Sequence, residues 1–135
     1  MVLFENSVIK LDYNPASDIL EVAYPDLHDY LISEIKSSIN VLVNTVTNYD
    51  VKKVLLDSSK TVISVSEQES REVATYLATG LIKTRTKKLA RVQSASAYVE
   101  NTANSNIQHI QNSLPLPYEV RNFSNKASAC AWLME

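Results

Sequence analysis

Hydrophobic and polar positions along this chain change period several times, and each change marks an element. Residues 2–13 end in strict alternation. Ile9, Leu11 and Tyr13 fall on one side and Lys10 and Asp12 on the other, which predicts a half-buried strand. Asn14-Pro15-Ala16-Ser17-Asp18 supplies turn chemistry, because Pro fixes φ and Asn or Asp can bond nearby backbone. Alternation returns over Ile19–Tyr24, with Leu20, Val22 and Tyr24 on one side, so a β-hairpin is expected to open the domain. After Pro25-Asp26 the spacing lengthens to three and four. Leu27, Leu31, Ile35, Ile39, Leu42 and Val46 form a helical stripe opposite Glu34, Lys36, Ser37, Asn40 and Asn44. That predicts a helix from about Asp26 to Thr47, closed by Asn48-Tyr49-Asp50.

Val51–Asp57 follows, and its continuous run Val54-Leu55-Leu56 suits a strand covered on both faces. Ser58–Val65 is polar and reads as a loop. Ser66-Glu67-Gln68-Glu69 matches a capping box, in which the first residue bonds the amide of the fourth and the fourth reaches back. Val73, Tyr76, Leu77 and Leu81 are the stripe of the helix it opens. Gly80 inside that helix predicts a close backbone approach to the sheet. Lys88–Gln93 is a further strand. A third helix carries Val99, Ala103, Ile107, Ile110 and Leu114, and Pro115 and Pro117 stop it. Tyr118–Phe123 is the last strand and Asn125–Leu133 the last helix, with Cys130 and Leu133 expected inward. The order is β-β-α-β-α-β-α-β-α in one α/β domain over residues 1–135. The last three strands, joined by helical crossovers, are expected to run parallel.

Composition removes whole classes of function. The 135 residues are 45% hydrophobic and 21% charged, as in a globular chain, and no apolar run nears the roughly 20 residues of a membrane span. Met1-Val2-Leu3-Phe4-Glu5 lacks a basic leader and reads as strand; with Cys130 as the one cysteine, a reducing cytoplasm is the expected setting. Gly80 is the single glycine, so neither a phosphate-cradling loop nor a dinucleotide-binding turn can form. No cofactor is expected. Residues 1–78 hold six Lys/Arg against twelve Asp/Glu, and residues 79–135 seven against three. The excess lies in Lys83, Arg85, Lys87, Lys88 and Arg91. No aromatic residues interleave with these charges, so a solvated helix end is expected and not a nucleic-acid site.

Candidate chemistry is sparse. His28 and His109 have no second ligand at metal spacing, and Asp29 next to His28 on a helix points elsewhere. Cys130 sits among Ala127, Ala129 and Ala131, a setting for a small buried hydrophobe. Tyr24, Tyr30, Tyr76, Tyr98 and Tyr118 fall near element ends, where tyrosines can line a cleft. No catalytic set emerges, and a non-enzymatic chain is expected.

Loose patterns spread along most of the chain carry a resemblance. They are Val8-Ile9-Lys10-Leu11-Asp12-Tyr13, Asp18-Ile19-Leu20-Glu21-Val22, Lys53-Val54-Leu55-Leu56-Asp57, Leu116–Phe123 and Ala131-Trp132-Leu133. With the element order, they resemble the STAS family, the fold of anti-sigma-factor antagonists and sulphate-transporter cytoplasmic domains. More closely, they resemble small bacterial STAS-like and CRAL-TRIO-like single-domain proteins of unassigned function. The resemblance implies a mixed sheet and a regulatory module working through a protein partner: a kinase, another regulator, or a second copy of itself. In STAS antagonists a serine near the start of the helix after the central strand is phosphorylated. Asp57-Ser58-Ser59 is similar to the family's Asp-Ser-Ser-Gly motif but lacks the glycine and directly follows the strand. By position Ser64 or Ser66 is the better counterpart, so the implied switch positions are Ser58, Ser59, Ser64 and Ser66. A carrier of a small apolar molecule or lipid, with a pocket between helices and sheet, is the alternative expectation.

Overall fold

The single strand expected over residues 2–13 is in fact two. In the computed structural model, which describes residues 1–24, 32–63 and 65–135, β1 (Val2–Glu5) and β2 (Lys10–Asn14) run antiparallel. Asn6 turns the chain between them. Its Oδ1 accepts hydrogen bonds from the amides of Val8 and Ile9, both at 2.8 Å, and its own amide donates to the Ile9 carbonyl at 3.0 Å. The expected element order therefore gains a strand at its front.

β3 (Ile19–Ala23) pairs with β2 as the expected hairpin. Asp18 in the turn adopts φ 57°, a left-handed conformation that Asp tolerates better than most residues. Its carboxylate accepts from the Tyr13 hydroxyl at 2.8 Å and the Lys52 amide at 3.2 Å, tying the turn to the next strand. Then follow α1 (Ile32–Asn48), β4 (Lys53–Asp57), α2 (Glu67–Ile82), β5 (Lys88–Val92), α3 (Ala97–Ser113), β6 (Glu119–Phe123) and α4 (Lys126–Leu133). The predicted start of the first helix, with Asp26, Leu27 and Leu31, lies outside the described residues.

The six strands form one mixed sheet in chain order, β1 to β6. β3, β4, β5 and β6 are parallel, one strand more than expected. In-register pairing builds rows across the sheet, and two of them, Leu20–Val54–Leu89–Val120 and Val22–Leu56–Arg91–Asn122, share a face by alternation. On that face Ile35, Ile39, Leu42 and Val46 of α1 and Val73, Leu77 and Leu81 of α2 complete the main core. The opposite face buries Ile19, Leu55, Ala90 and Val92 against Ala129, Trp132 and Leu133 of α4. Val54, Leu55 and Leu56 are all buried, as a strand covered on both faces requires.

Three local expectations are corrected. Cys130 is half-exposed; Ala129, Trp132 and Leu133, spaced three and four apart, take the inward positions of α4. In α3 the buried stripe is Val99, Thr102, Asn106 and Ile110, while Ala103 and Ile107 are only half-buried. Asn106 goes inside because it finds hydrogen-bond partners on α2. Gly80 approaches α1 and not the sheet: a Cβ built there would lie 2.7 Å from Cγ2 of Val43.

That contact makes Gly80→Ala a test of helix packing. In a helix interior alanine is favoured over glycine by about 1 kcal/mol, but Val43 has one strongly preferred rotamer in a helix and cannot swing clear. Gly80→Ala is expected to lower the urea midpoint in wild type and to raise it in a Val43→Ala background. Urea titration of the four proteins checks the sign in each background.

Candidate functional site

The helix-facing side of the sheet is apolar in its first rows and turns polar toward the carboxyl ends of the strands. Ser58 extends β4 by one step, its amide donating to the Val92 carbonyl at 3.1 Å, so alternation places its side chain on the same face as Leu56. Tyr24 does the same for β3, its amide donating to the Asp57 carbonyl at 2.9 Å. Above these rows the facing helices present small residues, Ala74 and Ala78 on α2 and Ala103 on α3. Small side chains on both helices leave space between α2, α3 and the sheet. The result is a cavity of about 100 Å³, lined mostly by aliphatic side chains. An unfilled void of this size costs about 2 kcal/mol relative to a packed core. Half-buried Ile63, Ile107 and Leu116 form part of its wall.

Arg91 lies on this face in mid-strand, 8% exposed. Its guanidinium grips both carboxylate oxygens of Glu100 in the first turn of α3, each at 2.8 Å, and its Nη1 also reaches Asn122 Oδ1 at 3.4 Å. Burial by itself raises the Glu100 carboxyl. Hydrogen bonds from Arg91 and from the Ser94 amide at 2.8 Å outweigh it and hold the group below its ordinary value of 4.5. Arg91 was grouped with a surface basic stretch by sequence, and the structure corrects this: it is an interior strut. The one signal in the sequence was a lone charge at an inward position of Leu89-Ala90-Arg91-Val92.

Other members of the basic stretch are also engaged. Arg85 pairs with Asp50 at 3.2 Å, and Lys88 donates to the carbonyls of Trp132 and Glu135 at the end of α4. That is the favourable end of a helix for a cation. Asn106 donates to Ser70 Oγ at 3.1 Å and accepts from Arg71 Nε at 3.3 Å, so polar bonds clasp α3 to α2 across the cavity.

Of the tyrosines singled out by sequence, Tyr24 and Tyr118 line the cavity. The Tyr118 hydroxyl donates to the Ala78 carbonyl at 3.1 Å. Burial pushes both phenols up to about 12, in Tyr24 against the opposing pull of Arg91, even though Tyr24 as a whole is only half-buried. Tyr76 and Tyr98 are exposed, as is His109; Tyr30, His28 and Asp29 lie outside the described residues.

The four serines end in different places. Ser58 is buried and lines the cavity. Ser59 is exposed, its hydroxyl donating to Asp57 Oδ1 at 2.6 Å. Ser66 is the exposed N-cap of α2, in the expected capping box with Glu69. Its Oγ accepts from the Glu69 amide and also donates to Glu69 Oε1, both at 3.1 Å. Ser64 lies outside the described residues. Among the described residues no group of three or more His, Cys, Asp or Glu could hold a metal ion, and no helix is long and apolar enough to cross a membrane. No family model, curated protein or solved structure matches the chain.

The capping box changes what a charge at Ser66 does. Aspartate can accept from the Glu69 amide but cannot donate to the Glu69 carboxylate, which it would face as a like charge. Ser66→Ala is expected to cost about 1 kcal/mol. Ser66→Asp should also lose stability alone and recover it when combined with Glu69→Gln, as thermal unfolding of the variants will show.

The Arg91–Glu100 pair predicts a pH signature. A carboxyl depressed in the folded state stabilises the fold above its unfolded value near 4.5, and that contribution is lost as pH falls toward the folded value. Glu100→Gln leaves Arg91 buried without its counter-charge and should cost about 3 kcal/mol at neutral pH. The gap from wild type should narrow below pH 4.5, because Glu100 protonates in wild type and has no counterpart in the variant. Urea titrations from pH 7 to pH 3 measure it, and a gap independent of pH counts against the pair.

Proposed function

We propose that this chain is a non-enzymatic regulatory module of STAS type that acts by binding a protein partner through segment 58–66, between β4 and α2. The observation that carries the reading is that the described residues of this segment have two sides. Ser58, Thr61 and Val65 are buried and Ile63 half-buried, so the inner side is anchored on the core. Ser59, Lys60, Val62 and Ser66 point outward, and Val62 is 52% exposed. An apolar side chain half exposed on an anchored loop is the form a small partner-binding surface takes. The segment also lies at the carboxyl ends of parallel strands, where α/β sheets commonly place their sites.

A switch fits the same place. Both outward hydroxyls are bonded to carboxylates, Ser59 to Asp57 and Ser66 to Glu69. A phosphate on either would expel that carboxylate and rearrange the loop surface without entering the core. The alternative of a lipid carrier finds less support, since drug-sized or larger ligands occupy pockets of about 300–1,000 Å³ and the cavity offers about 100 Å³. The partner would be a kinase, another regulator or a second copy of the chain, met in the cytoplasm.

Val62→Asp tests the surface. Quantitative recovery of bound proteins from the native cell, with size-exclusion chromatography to register self-association, should show a partner or dimer that wild type retains and Val62→Asp loses. Gln111→Asp, on exposed α3 surface near the opposite ends of the strands, should retain it. Equal recovery by all three proteins sinks the reading.

A further inference from the structure

We infer that the cavity between α2, α3 and the sheet is a binding site for a small neutral molecule, with a compact aromatic or aliphatic body and one hydroxyl or carbonyl group. The inference goes beyond the partner-binding reading and does not depend on it, because the cavity lies on the inner side of segment 58–66.

Size sets the body of the ligand. Protein interiors are close-packed, and a cavity of about 150 Å³ lined by aliphatic side chains is enough to take benzene. The present cavity of about 100 Å³ is on the same scale, and its half-buried wall at Ile63, Ile107 and Leu116 offers a way in from solvent. Ala74, Ala78 and Ala103 make it by being small where larger aliphatic side chains would fill it.

Polar accounting sets the functional group. Among the polar side chains lining the cavity, five already have protein partners. Arg91 holds Glu100, Asn106 holds Ser70, Thr61 donates to the Tyr24 carbonyl and Tyr118 donates to the Ala78 carbonyl. Two do not: Tyr24 Oη and Ser58 Oγ have no hydrogen-bond partner among the described residues. They belong to neighbouring strands one step beyond the Ala23–Asp57 pair, so they share one end of the cavity. No buried side-chain nitrogen or oxygen among the described residues lacks a partner, so neither hydroxyl is a sealed orphan; as part of the cavity lining, each can bond a hydroxyl or carbonyl on an occupant. Charge disfavours an anion. Among the described residues Arg91 is the one cation in the wall, and its bidentate pair with Glu100 already neutralises it, so a carboxylate entering here would be buried without compensation from them.

Titration of the full chain with phenol, benzene and benzoate, followed by amide chemical shifts, tests size and polarity separately. Phenol should perturb Ala74, Ala78 and Ala103 saturably at up to about 10 mM, the range expected for so small a ligand. It should bind about three- to tenfold tighter than benzene, the worth of one added hydrogen bond, with benzoate weakest. Ser58→Ala should reduce the phenol preference toward that of benzene. Ala103→Leu, which fills the space, should abolish binding of both, and Ala74→Leu serves from the other helix if that variant fails to fold. No saturable shift with any probe overturns the site, as does binding that persists in the filled variant. Phenol and benzene binding alike, with Ser58→Ala indifferent, would remove the polar end and with it the inference. None of these outcomes touches the partner-binding surface, which Val62→Asp reports.

Discussion

Two strands at the centre of this sheet bury side chains on both faces, and a sheet built in chain order can cover only one face with its crossovers. Moving always to the next strand, with crossovers of one hand, places each connecting helix on the same side. α1, α2 and α3 accordingly share the face that carries Leu20, Val54, Leu56 and Leu89. Leu55, Ala90 and Val92 on the other side would be left in water. The eight-residue α4 answers that need. Ala129 brings its backbone close, and Trp132 spreads over the strands, flanked by Lys88 at 5.1 Å and Arg121 at 5.0 Å from its ring. The uncovered remainder of that face is charged, with Glu21 paired to Lys126 at the border of α4.

The three helices on the main face are not joined in the same way. α1 and α2 meet through an apolar seam where the missing Cβ of Gly80 admits Val43, with polar contacts only at its outer rim: the Tyr76 hydroxyl donates to Asn40, and Lys36 pairs with Glu72. α2 and α3 meet through polar bonds: Arg71 to Ser105 and Asn106, and Asn106 to Ser70. Hydrogen bonds have fixed lengths and do not close a gap as apolar side chains do. With alanines facing one another beneath them, the gap remains. The same region holds Arg91 and Glu100, which anchor the start of α3 to mid-sheet. A helix held by polar bonds above an underfilled space is where this fold departs from close packing, and such departures are expected where a protein binds something.

The Asp57-Ser58-Ser59 run shows how the sheet divides neighbouring residues among different tasks. Alternation sends Ser58 into the cavity, while Asp57 stays at the strand end and accepts from the amide and hydroxyl of Ser59. In sequence the two serines were equivalent candidates. In the fold one is an interior hydroxyl and the other belongs to the outer surface. The inner and outer sides of segment 58–66 are thus two surfaces on one loop, one toward a small cavity and one toward solvent.

What the sequence determined by itself was everything set by local period and local bonding. The hairpin at Asn14–Asp18, the doubly covered Val54-Leu55-Leu56, the Ser66–Glu69 capping box and the alternation of helix and strand were all legible, because each rests on residues a few positions apart. Even the break in residues 2–13 had its signal in Asn6, a turn-former whose side chain bonds two following amides. What only the tertiary structure decided rests on residues far apart. Gly80 marked a close approach, but nothing local says that Val43, on another helix, fills it. The apolar stripe of α3 pointed to Ala103 and Ile107, yet Thr102 and Asn106 are buried in their place, since Ser70 and Arg71 on α2 stand opposite to bond Asn106. Arg91 read as surface charge until the first turn of α3 brought Glu100 to it. The cavity belongs to no single segment. It exists because small residues on two helices and hydroxyls on two strand ends meet, and only the packing of distant parts of the chain brings them together.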